Sequence, residues 1–306
     1  MINYNNICIV VYIFCILILS SCKDKDIGYS CVECDVPVFV TIDLEPAWDN
    51  KGEWIAYQHS DSLISKTGIY LIKPDGTENH LWHKGFAAYP AWSPDGQWIA
   101  FEFASHIWKK KVNGDRLTQL TFEGSNFYPT WSPDGKHLAY DSNSLTKYYT
   151  ITVMNQDGRA KTTTGYDSAA ESARNPHWSA TNKILHYISM GNISSEIFVM
   201  DANGDNRIRL TFNEARDDLA KSSPDGKKIV YISQSRQAGT DLLPAVWIMD
   251  SDGKNNKKLA SSAYTANWHP NGNTIVYTNG SAGNGRLWLM NSDGTNKRQL
   301  TFKNLF

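Results

Sequence analysis

Six near-copies of one phrase run through this chain and confine it to a small set of architectures. They read PAWDNKGEWIAY from Pro46, PAWSPDGQWIAF from Pro90, PTWSPDGKHLAY from Pro129, PHWSATNKILHY from Pro176, AKSSPDGKKIVY from Ala220 and ANWHPNGNTIVY from Ala266. Successive starts lie 44, 39, 47, 44 and 46 residues apart, close to the length of a four-stranded propeller blade. A unit this short needs neighbours to bury its apolar face, so six copies point to a closed ring.

The second half of each copy turns apolar again: IYLIKPDG from Ile69, IWKKKVNG from Ile107, ITVMNQDG from Ile151, IFVMDANG from Ile197, VWIMDSDG from Val246 and LWLMNSDG from Leu287. Four copies then close on RLTQLT, RIRLT, KKLA or RQLT, the last ending at Thr301. These are short β-branched and aromatic runs punctuated by Gly, Pro, Asn and Asp, and none sustains a helical period. The expected fold is all-β: a six-bladed β-propeller of four-stranded antiparallel blades over residues 45–306. Strand A carries the first Trp, strand B the IAY-type run, strand C the IYLI or LWLM run, and strand D the RLT run.

Ser-Pro-Asp-Gly at Ser93, Ser132 and Ser223 sets proline where φ near −65° is needed and glycine where φ turns positive, which makes a tight A-to-B hairpin. NQDG, DSDG and NSDG do the same between strands C and D. Asp-x-Asp-Gly also occurs in calcium loops, but the twelve-residue spacing and closing glutamate of an EF-hand are missing, so these are read as turns. No metal or cofactor is expected.

Together, the Pro-x-Trp-Ser-Pro-Asp-Gly phrase and the Ile-x-Val-Met-Asn-x-Asp-Gly phrase resemble the WD-like repeat of TolB-type propellers, over about 260 residues from Pro46 onward. Similar blades occur in prolyl oligopeptidase relatives, tricorn-type proteases and oligogalacturonate lyases, so the resemblance speaks to fold before function. Two copies depart from the pattern: Ser222 replaces the Trp of the fifth, and SATN at Ser179 replaces the Pro-Asp-Gly turn of the fourth. Trp48, Trp92, Trp131, Trp178 and Trp268 share one repeat position and are expected between neighbouring sheets, as core rather than as a carbohydrate platform.

Residues 1–21 read as a signal peptide. Ile7 to Leu19 is an apolar run of 13 residues, too short to span a bilayer, and Leu19-Ser20-Ser21-Cys22 resembles a bacterial lipobox, which implies acylation of Cys22. Residues 22–44 are then a lipid-anchored tether whose end, VPVFVTIDL, is one of two segments that could be outermost in the closing blade. Cys31 and Cys34 fit a local disulfide or free thiols; a zinc site would need two further ligands, and a redox pair would normally sit near a βαβ unit. The expected location is the cell envelope, on a periplasm-facing outer membrane, with surface exposure as the alternative because Lys23-Asp24-Lys25-Asp26 resembles a surface-export tag. A net charge of −1 and only short Lys runs give no nucleic-acid groove.

On the ring, near-identical tight turns crowd one face, while the variable D-to-A and B-to-C connections form the other, the usual carrier of recognition. Residues just before each strand A are expected to ring the channel there: Glu45, Tyr89, Tyr128, Asn175, Leu219 and Thr265. Asn126, Phe127, Arg174, Asp217, Asp218 and Tyr264 are their neighbours, and Glu45, Tyr89, Asn126, Phe127, Tyr128, Arg174, Asp217, Asp218 and Tyr264 make the candidate rim. Alanine at Tyr128, Arg174 and Asp217 is expected to remove binding at little cost in stability. The favoured function is a non-catalytic module binding an envelope protein, peptide or small ligand. The alternative is a polysaccharide-processing enzyme resembling oligogalacturonate lyase, which would need clustered histidines, whereas His106, His137, His177, His186 and His269 fall at different repeat positions and His80 and His83 in an outer strand. No Gly-x-Ser-x-Gly elbow supports a peptidase.

Overall fold

The computed structural model describes residues 41–144, 148–164, 172–190, 194–235, 243–280 and 284–302. The chain divides into two units, Met1–Phe39 and Val40–Phe306. The first unit, with Cys22, Cys31 and Cys34, lies outside the described residues.

The second unit is a six-bladed β-propeller. Blade 1 runs β1 (Ile42–Trp48), β2 (Ile55–Ser60), β3 (Gly68–Ile72) and β4 (His80–Lys84); blade 2 runs β5 (Ala87–Trp92), β6 (Trp98–Phe103), β7 (His106–Lys111) and β8 (Leu117–Gln119). Blade 3 is β9 (Asn126–Trp131), β10 (His137–Ser142), β11 (Thr150–Asn155) and β12 (Thr162–Thr163), and blade 4 is β13 (Ala173–Trp178), β14 (Lys183–Met190), β15 (Ser194–Asp201) and β16 (Ile208–Arg209). Blade 5 is β17 (Arg216–Ser222), β18 (Lys228–Gln234), β19 (Ala245–Asp250) and β20 (Lys257–Ser261), and blade 6 is β21 (Ala263–Trp268), β22 (Thr274–Asn279), β23 (Arg286–Asn291) and β24 (Arg298–Gln299). Each blade pairs its strands antiparallel in chain order; one parallel bridge, Ser195 to Arg216, also joins blade 4 to blade 5. The innermost strands β1, β5, β9, β13, β17 and β21 each pack on the next, and β21 returns to β1.

The turn chemistry holds. Asp134 Oδ1 accepts hydrogen bonds from the Ser132 hydroxyl at 2.6 Å and the Lys136 amide at 3.0 Å, while Gly135 takes φ 70°. Asp225 repeats this arrangement in blade 5. In the shorter SATN turn, Asn182 supplies the left-handed residue at φ 61° in place of glycine.

The repeated tryptophans are core, as expected. Trp48, Trp131, Trp178 and Trp268 are 6–8 % exposed, and Trp92 is half-buried. Their indoles stitch blade to blade: Trp92 donates to the Ala47 carbonyl, Trp131 to Ala91 and Trp268 to Lys221, at 3.0–3.1 Å. Trp178 bonds the Asn182 side chain of its own turn instead. The Trp48 indole N–H has no acceptor among the described residues, and its ring is covered edge-on by His269 at 4.5 Å.

Glycines of the C-to-D turns form a second set of stitches. A Cβ on Gly158, Gly204 or Gly253 would stand 2.8, 2.3 or 2.4 Å from a backbone carbonyl oxygen of the preceding blade, so only glycine fits.

Among the described residues, the ring closes without an exchanged strand. Blade 6 keeps its own outer strand β24, and Ile42–Leu44, the end of the VPVFVTIDL segment, is the start of innermost β1 rather than an outer strand. Val36–Val40 lie outside the described residues. The seam holds through one main-chain bond and several side-chain bonds: the Asp43 amide donates to the Gly285 carbonyl at 3.0 Å, the Thr278 hydroxyl to the Asp43 carbonyl at 3.1 Å, and Arg286 Nη1 to the Thr41 carbonyl at 2.6 Å. The Asp43 carboxylate takes the Thr301 hydroxyl at 2.5 Å and contacts His59 Nδ1 at 2.6 Å. Behind it, Trp48, Tyr57 and Ile72 pack against Val276, Leu289 and Leu300.

Candidate functional site

Every innermost strand breaks register against its neighbour near the same point. The breaks fall at Leu44/Ala47, Ala88/Ala91, Arg174/His177, Asp218/Lys221 and Ala263/Thr265, and in blade 3 between Phe127 and Thr130. In five blades the bulge residue adopts left-handed φ: Glu45 51°, Tyr89 55°, Tyr128 53°, Asn175 53° and Leu219 52°. Such φ values are uncommon for side-chain-bearing residues and strained for bulky ones, so the ring holds five of them in place. They are the residues expected to ring the channel; Thr265 of blade 6 lacks the conformation.

The electrostatics place these groups around one axis. Glu45 of blade 1 is influenced by Lys221 and Asp218 of blade 5, and Tyr89 and Tyr128 of blades 2 and 3 by Glu45 and by Arg174 of blade 4. Burial pushes Glu45 up to about 7, against the pull of Lys221. Lys221 and His177 are both driven down by burial.

At the mouth, aromatic rings and two ion pairs make a belt. Tyr89 and Tyr128 lie with ring centres 3.8 Å apart, and Phe127 meets Tyr89 edge-on at 6.5 Å. The Arg174 guanidinium sits 4.2 Å from the Tyr149 ring centre and 5.8 Å from Phe127, and its Nε donates to Asp141 Oδ2 at 3.1 Å. Arg216 Nε donates to Asp218 Oδ2 at 2.9 Å, and the Tyr187 hydroxyl feels both arginines. Burial raises both carboxylates, and the arginines oppose it. Such a belt offers stacking faces, cation–π contacts and polar anchors to an inserted segment or small polar ligand.

Not every rim residue belongs to it. Glu45, Tyr89, Phe127, Tyr128, Arg174 and Asp218 come together. Asn126 is 1 % exposed and spends its amide on the carbonyls of Glu123, Gly124 and Ser105, so it fastens a loop. Asp217 is fully buried, bonded by Asn213 Nδ2 at 2.8 Å, while its carbonyl accepts the Ser195 hydroxyl across the blade 4–5 seam. Among the described residues no ring or ion-pair contact ties Tyr264 to the belt. The expectation that alanine at Arg174 and Asp217 is cheap is therefore corrected: one neutralises a buried carboxylate, the other is itself buried. Sequence reasoning missed Asp141, Tyr149, Tyr187, Arg216, His177 and Lys221. The last two had a signal, since they occupy the x of Pro-x-Trp where other copies carry Ala, Thr or Asn.

The histidines stay dispersed. His137 packs on Trp178, His186 stacks on Phe198, and His80 and His83 lie in outer strand β4. Among the described residues, no three His, Cys, Asp or Glu side chains gather as a metal set.

The TolB beta propeller domain model matches residues 75–305. A protein assigned as TolB in Agrobacterium tumefaciens is 23 % identical, with TM-score 0.60, over 71 % of this chain and 80 % of that one. TolB from Acinetobacter baumannii is 22 % identical, with TM-score 0.66, over 84 % of this chain but only 62 % of its own length. An oligogalacturonate lyase in complex with manganese shares the fold at 11 % identity and TM-score 0.57, over 85 % and 77 % of the two chains. No curated protein matches the chain.

Proposed function

Because this chain belongs to the TolB beta-propeller domain family, we propose that it is a non-catalytic binding module of the bacterial cell envelope, held to the membrane by acylated Cys22, with its channel mouth receiving a segment of an envelope partner. The observation that carries this reading is the belt of Tyr89, Phe127 and Tyr128 beside the Arg174–Asp141 and Arg216–Asp218 pairs. Pre-aligned aromatic faces and already neutralised charges suit a polar chain entering from the loop face, because neither partner must leave a bare charge buried.

The test is quantitative capture from envelope extract by the soluble form starting after Cys22. Phe127→Ala with Tyr128→Ala should remove the captured partner, and Asp157→Ala with Asp293→Ala, on the opposite face, should retain it. Retention by the first pair and loss by the second would place binding on the turn face. For the anchor, Cys22→Ala should abolish lipid labelling, and unchanged labelling would reject acylation at that residue.

A further inference from the structure

Between blades 5 and 6, on the face of the tight turns, lies a cleft of about 650 Å³ lined by Ile248, Leu259, Trp268, Pro270, Asn271 and Asp293. Its origin can be read by comparing this seam with the one between blades 2 and 3. In blade 2, Trp98 pairs with Lys111 and Ala100 with Lys109; in blade 5, Lys228 pairs with Asp250 and Val230 with Ile248. Lys228 therefore stands where Trp98 does, and Ile248 where Lys109 does. Ser292 matches Gln156 as the second residue of the next blade's C-to-D turn, and Trp268 matches Trp131, each indole donating to a carbonyl of the preceding blade.

The blade 2–3 seam is filled. The Lys109 ammonium lies 4.9 Å from the Trp98 ring centre and 6.0 Å from Trp131, and donates to the Gln156 carbonyl at 2.5 Å. In the blade 5–6 seam, Lys228 turns to Asp250 at 2.5 Å, and Ile248 has neither the length nor the charge to reach the turn. Trp268 keeps its place, but no aromatic ring stands at position 228 and no ammonium at position 248; the one ammonium that reaches the blade 6 turn comes from Lys257 of β20 and sits on the neighbouring Asp293 carbonyl at 3.0 Å, beside the Ser292 carbonyl.

We propose that this cleft binds a small planar aromatic amine. Its ring takes the place that Trp98 fills in blade 2, against Ile248, and its ammonium takes the place of Lys109 on the Ser292 carbonyl. The volume lies in the range of small-molecule sites, and an apolar wall of Pro224, Ile248, Leu259, Trp268 and Pro270 faces a polar and charged rim. Lys228 and Lys257 are the lysines of this lining that work against a charged ligand; Lys228 is paired with Asp250 at 2.5 Å and Lys257 is held on the Asp293 carbonyl at 3.0 Å. The Asp225 and Asp293 carboxylates, also on the lining, favour a cation. The site stands on the opposite face from the channel mouth and is independent of what the mouth binds.

The probe is tryptamine, titrated into the soluble ring by calorimetry, with indole-3-acetate as the ring-matched anion. Saturable tryptamine binding, with the acetate at least tenfold weaker, is expected. Ile248→Lys should place an ammonium on the ligand's site and weaken tryptamine at least tenfold, and Lys228→Trp with Ile248→Lys should rebuild the blade 2 filling and remove binding. Circular dichroism and thermal melting show that each variant is folded; if the double variant fails that check, the single one decides. No saturable tryptamine binding by the unaltered ring, equal binding of the acetate, or undiminished binding by folded Ile248→Lys would each overturn the assignment.

Discussion

Replacing Glu102 by glutamine should stabilise the ring at pH 8 and do much less at pH 5. Glu102 lies in β6, 8 % exposed, and its Oε1 accepts the Ser105 amide at 2.6 Å. Burial outweighs that bond and lifts the carboxyl from 4.5 to about 7. In the window between those values the native state keeps a proton that the unfolded chain has released, so stability is full below about 4.5 and falls as pH rises to about 7. At roughly 1.4 kcal/mol per pH unit, ionised Glu102 costs up to about 3 kcal/mol at pH 8 and under about 1 kcal/mol at pH 5. Glutamine keeps the acceptor for Ser105 and the volume, and cannot ionise. A gain of about 1–3 kcal/mol at pH 8 would raise the melting temperature by roughly 2–12 °C in a domain of this size. Melting followed by circular dichroism at the two pH values reads it directly. Glu45 contributes the same sign, reduced by Lys221, so the variant keeps a shallower slope. An equal gain at both pH values, or a loss at pH 8, would refute burial as the cause.

The stitches and the belt give further tests. Gly253→Ala should destabilise by about 1–3 kcal/mol more than Gly76→Ala in urea unfolding, because both glycines have similar φ, 85° and 89°, but the new Cβ meets the Leu210 carbonyl at 2.4 Å in one and nothing nearer than 3.6 Å in the other. Trp131→Phe should cost about 1–2 kcal/mol beyond Trp48→Phe, since it leaves the Ala91 carbonyl without its donor, while the Trp48 indole has no acceptor to lose. Arg174→Ala should cost about 3–5 kcal/mol by leaving Asp141 buried and unpaired, and Asp141→Asn with Arg174→Ala should recover part of it, as a double-variant unfolding cycle would show.

Blade number, strand order and the structural role of the tryptophans were legible because they depend on periodicity and turn chemistry, both local. The Pro-Asp-Gly spacing fixes each hairpin, and β-period runs of Ile, Val and Tyr fix the strands. The site was half legible. Glu45, Tyr89 and Tyr128 stand one place before the repeated phrase; strand A begins three or four residues before that phrase, so they fall inside it, at the bulge that faces the axis. Asn126 and Asp217 sit two residues before the bulge, and they are held by Ser105 and Ser195, each in the preceding blade. Contacts between residues about 20 positions apart leave no mark on a linear pattern. Asp141 illustrates the same limit: a carboxylate inside LAYDS reads as an exposed strand position until Arg174, from the next blade, is known to reach it.

What a repeat holds constant and what it lets vary therefore carry different information. Turn glycines and indole donors recur because they close seams in the same way, and in blade 4 a change is answered locally, where Asn182 supplies the left-handed residue in place of glycine and takes the Trp178 indole. Changes at Lys221 and His177 are not answered in that way: neither side chain has a hydrogen-bond or ion-pair partner among the described residues, and burial disfavours the charged form of both, opposed at Lys221 only by the charge of Glu45 in blade 1. Lys228, by contrast, is answered as Lys183 of blade 4 is, by an aspartate across its own hairpin, Asp250 and Asp201 respectively, and the blade 5–6 cleft lies beside that pair. Uncompensated departures from an otherwise self-consistent repeat cost stability and return none to the scaffold. That asymmetry directs attention to the inner channel of this ring and ranks it above the many exposed polar residues of the loops.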